Sequence, residues 1–384
     1  MTKKTELSAA EISQLRQEFL TWYHDKKRNL PWRATTDPYA IWISEIMLQQ
    51  TRVDTVIDYY YRFMELFPTI QDLAEAEEQK LLKVWEGLGY YSRARNLKIA
   101  AQQIVELYDG KMPTTIDEIR TLKGIGPYTA GAIASIAFGL PEPAIDGNVM
   151  RVVSRLFEID ADIAKASSRH FFEDAMRKII DPDEPGEFNQ ALMDLGSSIC
   201  TPTSPDCAAC PLKDFCLAYQ ENRQTDFPVK TKKAKPKDVY YIATALENPT
   251  GKYLLQQRPA TGLLASMWTF PMMEVTEKEY RQLEATWSKK SMNQLSLFVA
   301  EDQLLPDIFE EEVVWQKRHL GEITHIFSHL KWHVLLFYGR TGKKEVNENQ
   351  RFAAMSDFEK YVFPKPQQKL VEQLKKNHLS DKDF

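Results

Sequence analysis

From about residue 8 to residue 225, apolar residues recur every three or four positions, and alternation at period two is scarce. Asp37-Pro38 predicts a helix start, with an acid at the cap and proline in the first turn. That helix is expected to run through YAIWISEIMLQQ. A second is expected through VDTVIDYYYRFMELF, stopping at Pro68, and a third through LAEAEEQKLLKVWEGLG, ending on Gly87 and Gly89. A fourth, YSRARNLKIAAQQIVELYDG, should end on Gly110. The pattern changes near residue 226. TDFPVKTKKAKPKD is polar, basic and carries two prolines, which predicts a linker over 226–238. VYYIATALE, KYLLQQR and HVLLFYG are β-branched and aromatic runs divided by Gly and Pro. They predict strands of a smaller α/β or α+β domain over 239–370, with a polar tail over 371–384.

A length of 384 residues calls for two or three domains. The hydrophobic fraction of 43% and charged fraction of 27% suit a soluble globular protein. No apolar run approaches the roughly 18 residues of a membrane span, and MTKKTELSAAEISQL has no apolar segment of the secretory kind. The expectation is a cytoplasmic protein, nucleoid-associated if it binds DNA, with no membrane partner. The net charge of −5 argues weakly against nucleic acid. Distribution matters more than the total, however, and residues 230–237, KTKKAKPK, hold five lysines in eight positions.

All four cysteines, Cys200, Cys207, Cys210 and Cys216, fall within one short stretch spaced C-x6-C-x2-C-x5-C. Four thiolates so placed can converge on one metal centre. Disulfides are disfavoured in a reducing compartment. Tetrahedral zinc usually takes two close pairs, and this chain has one. Iron–sulfur clusters accept uneven spacing, so the loop is read as a cluster site, with zinc the alternative.

Leu122-Lys-Gly-Ile-Gly-Pro-Tyr-Thr-Ala-Gly131 lies between two helical stretches. Gly124 and Gly126 allow a tight turn with exposed backbone N–H groups, and the following helix points its positive end at that turn, an anion site suited to a DNA phosphate. Twenty residues on, Asp146 enters the next helix as either a cap or a reactive group. The pattern L-x-G-I-G-x-x-T-A resembles the helix–hairpin–helix element of DNA repair glycosylases. Hairpin, then Asp, then a four-cysteine loop resembles the order of the endonuclease III superfamily, over residues 8 to 225.

Within that superfamily the chain is similar to A/G-specific adenine glycosylases. Three segments carry the likeness: Trp42-Ile-Ser-Glu-Ile-Met-Leu-Gln-Gln-Thr51, Gly87-Leu-Gly-Tyr-Tyr-Ser-Arg-Ala-Arg95 and Asp146-Gly-Asn148. The resemblance implies an all-α glycosylase domain over 1–225 with a 4Fe-4S cluster at 200–216. Its partner would be duplex DNA with 8-oxoguanine·adenine or guanine·adenine mispairs, bound by a monomer. Glu45 would protonate the adenine at N7, and Asp146 would stay ionised and stabilise the oxocarbenium ion. Tyr128 and Asn148 would orient them. Lyase relatives carry a lysine where this chain has Tyr128, which has no amine for an imine, so base removal without strand cutting is implied. The adenine must leave the stack, and Gln50 and Tyr90 are the candidate wedges, Tyr91 competing with Tyr90. Leu48, Thr51, Arg33, Arg93 and Arg95 join Gly124 and Gly126 as implied DNA contacts. Between Cys200 and Cys207 there is no Lys or Arg, unlike many relatives, so the linker, Arg93 and Arg95 are expected to take more of the DNA.

GKYLLQQRP and Trp268-Thr-Phe-Pro271 resemble a Nudix-type α/β domain without the R-E-x-x-E-E acidic run of the hydrolases. In this family such a domain recognises 8-oxoguanine, and Phe327-Ser328-His329 matches the recognition loop. Ser328 and His329 would supply hydrogen bonds, and Phe327 a stacking or packing surface. His319, His325, His329 and His333 form a second cluster, but the flanking sequence reads as strand, against a metal-binding helix face. Rival readings are a glycosylase-lyase for oxidised pyrimidines, a non-enzymatic damage reader and a metal-dependent nucleotide hydrolase.

Overall fold

Several helix starts in the first half of the chain are set by side chains that cap them. Ser8 and Glu11 close a capping box on α1 (Ala9–Lys26), and Asp37 caps α2 (Pro38–Leu48). There follow α3 (Val53–Leu66), α4 (Ile70–Glu75), α5 (Glu78–Val84), α6 (Ser92–Tyr108), α7 (Ile116–Thr121), α8 (Pro127–Phe138) and α9 (Gly147–Phe157). The all-helical region closes with α10 (Arg169–Ile179), α11 (Pro185–Ser198) and the short α12 (Leu217–Gln220).

This computed structural model describes residues 7–232, 234–288, 313–316 and 318–377. It divides into two units: one runs to Val84 and from Ser92 to Lys232, and the other takes Lys233 onward together with Trp85–Tyr91. One core of the first unit joins Leu15, Phe19 and Tyr23 of α1 to Val152 and Val153 of α9 and to Phe188, Leu192 and Leu195 of α11.

The second unit is built on one mixed sheet. Its strands are β1 (Lys237–Glu247), β2 (Tyr253–Gln257), β3 (Trp268–Thr269), β4 (Met272–Val275), β5 (Val313–Trp315), β6 (Gly321–Ile326), β7 (Leu330–Thr341) and β8 (Gln350–Ala353), with helices α13 (Glu277–Thr286) and α14 (Lys365–Lys376). β1 and β7 pair in parallel from Lys237↔Leu330 to Glu247↔Arg340. Both are buried over long continuous runs, as strands covered on two faces are. β6 folds back antiparallel on β7, with Ile326 opposite Lys331.

Several boundaries differ from the sequence reading. The expected third helix is two, α4 and α5, broken at Ala76–Glu77. α2 stops at Leu48, and Gln50 takes a positive φ of 60°. The linker is not free over its first half: Phe227 is buried, and Thr231 donates to the Asp162 carboxylate at one end of a docked strand of chain. The polar tail does not begin at 371, because α14 runs to Lys376 and buries Leu370, Val371 and Leu374 in the second core. The far end of that tail lies outside the described residues.

Candidate active site

Four elements of the first unit deliver side chains to one cavity. Glu45 comes from the middle of α2, Tyr128 from the first turn of α8, Asp146 and Asn148 from the start of α9, and Gln190, Met193 and Ser197 from α11. Arg28, Arg33, Leu48 and Thr51 line its wall. Close approach of backbones makes this possible: a Cβ on Gly196 of α11 would come within 2.7 Å of the Asn148 Cβ.

Glu45 is 4% exposed. Burial pushes its carboxyl up to about 7, against the Tyr128 hydrogen bond and the Arg33 charge, with Asp146 adding to the rise. Tyr128 Oη donates to Glu45 Oε2 at 2.5 Å. Burial and the Glu45 charge hold the phenol well above its ordinary range, so it stays a donor. Asp146 caps α9 and also faces the cavity. Its Oδ1 accepts from Val149 N at 2.7 Å as a helix cap, and its Oδ2 accepts from Asn148 Nδ2 at 3.0 Å inside the cavity. Burial raises its pKa, which runs against the expectation of a freely ionised group. Hydrogen bonds from Val149 and Asn148, and the Arg151 charge, favour the anion.

The sequence reading missed the supports of this site. Asp194 accepts from Arg28 Nε at 2.9 Å and from both terminal nitrogens of Arg33, at 2.7 and 3.0 Å. Burial opposes the charges of Arg33 and Asp194, but their pairing outweighs it, raising the one pKa and lowering the other. Arg33 is therefore held as a wall of the cavity. Asn189, fully buried, accepts from Ala144 N and donates to Ser135 Oγ and Glu142 O, fixing the chain that leads into Asp146. The only signal for these residues was polar side chains scattered through the apolar pattern of α11.

Arg93 Nη1 donates to the carbonyls of Ile46, Met47 and Gln49 and so closes the C-terminus of α2. Arg95 pairs with Glu78 at 3.0 Å. Gly124 and Gly126 do lie exposed at the turn before α8. Gly124 has φ 78°, and the first turn of α8 has no side-chain cap, leaving N–H groups at an exposed helix start.

No disulfide joins the four cysteines, which line a second cavity. Burial raises Cys210 to about 12 and Cys216 to about 11, so thiolates here need a positively charged centre beside them. That donor set fits an iron–sulfur cluster. Two buried arginines of α9 bond to this loop. Arg155, 2% exposed, donates to Cys200 Sγ at 3.2 Å and to the Thr201 and Pro202 carbonyls. Arg151 donates to the Cys200 carbonyl at 2.8 Å, the Gly196 carbonyl at 2.6 Å and Asn148 Oδ1 at 2.8 Å, joining the cysteine loop to the cavity.

In the second unit, Ser328 and His329 form the exposed tip of the β6–β7 hairpin, closed by Phe327 N donating to Leu330 O at 2.7 Å. Phe327 points inward and packs edge-on against Trp332 and His325, so it is a packing residue rather than a stacking surface. His333 faces two carboxylates, Glu322 and Asp238. Of the competing tyrosines, Tyr91 is buried and Tyr90 is 47% exposed with φ 47°.

A family model described as the HhH-GPD superfamily base excision DNA repair protein matches residues 43–178. The iron-sulfur binding domain of endonuclease III matches 200–216, and a NUDIX domain matches 242–373. The adenine DNA glycosylase of Mus musculus is 38% identical over 373 residues, 84% of this chain and 70% of its own. That of Homo sapiens is 35% identical over 406 residues, 91% and 72% of the two chains. Among solved structures, a thermostable thymine-DNA glycosylase matches with a TM-score of 0.50 and 28% identity, over 55% of this chain and 97% of its own. With a buried carboxylic acid facing a second carboxylate, and a four-cysteine 4Fe-4S loop pinned to the same cavity, the chain belongs to the adenine DNA glycosylases, hydrolases of the N-glycosidic bond in base excision repair.

Proposed function

We propose that the protein removes adenine paired with 8-oxoguanine or guanine in duplex DNA, acting as a monomer and leaving the strand uncut. One observation carries the chemistry: Glu45 and Asp146 line one cavity, and burial holds Glu45 protonated up to about pH 7. An acid in an apolar setting beside a carboxylate in a hydrogen-bonded one is the division of labour that glycosidic cleavage needs.

A base inside the duplex is out of reach of such a cavity, so the adenine turns out of the stack. Glu45 delivers its proton to N7, which makes the base a neutral leaving group. Tyr128, a donor to Glu45, holds the carboxyl in that orientation and stabilises the carboxylate once the proton has gone. Asp146, oriented by Asn148 and the Val149 N–H, places its negative charge against the sugar cation. Glu45, now ionised, takes a proton from the attacking water. No amine stands at position 128 to form an imine with the opened sugar, which supports hydrolysis alone. The exposed hairpin Gly124–Gly126 takes a phosphate, Gln50 and Tyr90 are the wedges, and Ser328 and His329 read the base opposite adenine.

The test is a duplex bearing one 8-oxoguanine·A pair, incubated with the protein and divided in two. Cleavage at the adenine only in the alkali-treated half supports hydrolysis without lyase action. Cleavage without alkali refutes it, and an intact strand in both halves refutes the substrate.

A further inference from the structure

The recognition tip does not stand alone. Tyr90 Oη lies 3.0 Å from Ser328 Oγ. Neither partner is a loose side chain. Ser328 sits in a closed two-residue turn, and the His329 carbonyl accepts from Lys237 N at 3.0 Å. Tyr90 belongs to Trp85–Tyr91, the segment that groups with the second unit. There the Glu86 carboxylate accepts from Phe363 N at 2.9 Å, and Trp85 Nε1 donates to the Gly89 carbonyl at 3.2 Å. The left-handed backbone of Tyr90 is one that a tyrosine takes only when its surroundings impose it.

A hydroxyl has one proton and two lone pairs, and an unpartnered one turns to suit whatever it meets. Guanine offers N7 as an acceptor. In 8-oxoguanine N7 carries a hydrogen and is a donor. A free serine would therefore satisfy both bases and prefer neither. If Ser328 reads the oxidised base, as proposed above, its own proton must be held elsewhere, and Tyr90 Oη is the acceptor within reach. A tyrosine hydroxyl keeps lone pairs with which to accept, besides its own proton.

We propose that the Tyr90 hydroxyl is a positioning group for Ser328. It takes the Ser328 proton, leaves that oxygen with only lone pairs toward the opposite base, and so sets the preference for 8-oxoguanine over guanine. The inference rests on the reading of the 328–329 tip, and the experiment separates the two.

Single-turnover adenine release is measured for Tyr90→Phe, Ser328→Ala and the double variant. The adenine is placed opposite 8-oxoguanine, guanine or 7-deazaguanine, which has no N7 acceptor. Tyr90→Phe keeps the ring and removes the acceptor. It should lower the 8-oxoguanine-to-guanine rate ratio about three- to tenfold, the range of one hydrogen bond. Part of that change should be a gain on guanine that 7-deazaguanine does not share. In the Ser328→Ala background the same substitution should move the ratio less than about twofold. An unchanged ratio in Tyr90→Phe, with a reduced one in Ser328→Ala, overturns the proposal and leaves the tip reading standing. An equal drop in both backgrounds also overturns it, because Tyr90 then acts without Ser328. An unchanged ratio in Ser328→Ala removes the tip reading and this proposal together.

Discussion

Glu45 is 4% exposed and reaches its partners only because α2, α8, α9 and α11 meet around it. Ser328 stands exposed on a two-residue turn whose shape is fixed by its own hairpin. The contrast follows from what each is proposed to do. A general acid working near neutrality needs a carboxyl stripped of water, and only a packed interior provides that. Reading a base needs an accessible donor or acceptor, and a short turn provides it at little cost to the fold. Damage to the cavity should therefore be large and should spread to stability and to the cluster. Damage to the exposed polar groups of the tip should be small and confined to selectivity.

The strongest challenge to this contrast is Glu45→Gln, which keeps shape and removes the acid. Adenine release under single-turnover conditions should fall about 10²–10⁴-fold, the span expected for one acid–base group. Retention of activity within tenfold would mean that the buried carboxyl is not the proton source.

The same substitution should reverse sign for stability. Glu45 titrates near 7 in the folded chain, against 4.5 for the unperturbed group. Below pH 4.5 it is protonated in both states. Between 4.5 and 7 the unfolded chain ionises first, and stability falls as pH rises. Above pH 7 the wild type has lost about 3 kcal/mol relative to acid conditions, at 1.36 kcal/mol per unit. Glu45→Gln, with nothing to ionise, should melt higher than wild type at pH 8 and lose that advantage at pH 5. Activity of the wild type should decline over the same alkaline range, and on the acid side as Asp146 takes up a proton.

Arg151→Gln comes next in size. Its guanidinium satisfies two backbone carbonyls and Asn148 together. Stranding buried acceptors costs about 1–3 kcal/mol. Release should slow by about tenfold, and iron per protein should fall in the same preparation. A slower enzyme with full iron would show that the cysteine loop and the cavity are independent.

The parts legible in the sequence are those with local marks. α2, α8 and α9 begin at Asp37-Pro38, Gly126-Pro127 and Asp146-Gly147, and each carries its cavity-lining side chain close to that start. The break between α4 and α5 has no Gly or Pro to announce it. The role of Arg93 at the end of α2 has no local mark, because its partners are backbone carbonyls more than forty residues away. Asp194 and Asn189 read as ordinary polar positions of a helix, and only the packing of α11 turns them inward. The beginning of α14 was hidden in a stretch rich in Lys and Gln, although Leu370 and Leu374 already had helical spacing.

Ser328→Ala should be the smallest change and the cleanest test of the contrast. The side chain is exposed and its hydrogen bond is to another exposed hydroxyl, so stability should shift by less than about 0.5 kcal/mol. The pH limits of adenine release should not move, because a serine hydroxyl does not titrate in this range. What should change is the ratio of release opposite 8-oxoguanine to release opposite guanine, by roughly tenfold or less, the reach of one hydrogen bond. Phe327→Ala separates the two layers of the tip. It removes an aromatic ring packed on Trp332 rather than a polar contact, so it should lower stability and blur selectivity together. If Ser328→Ala shifted the pH limits, or unfolded the chain as Phe327→Ala is expected to weaken it, reading and chemistry would share one structure, and their separation into a buried cavity and an exposed turn would be wrong.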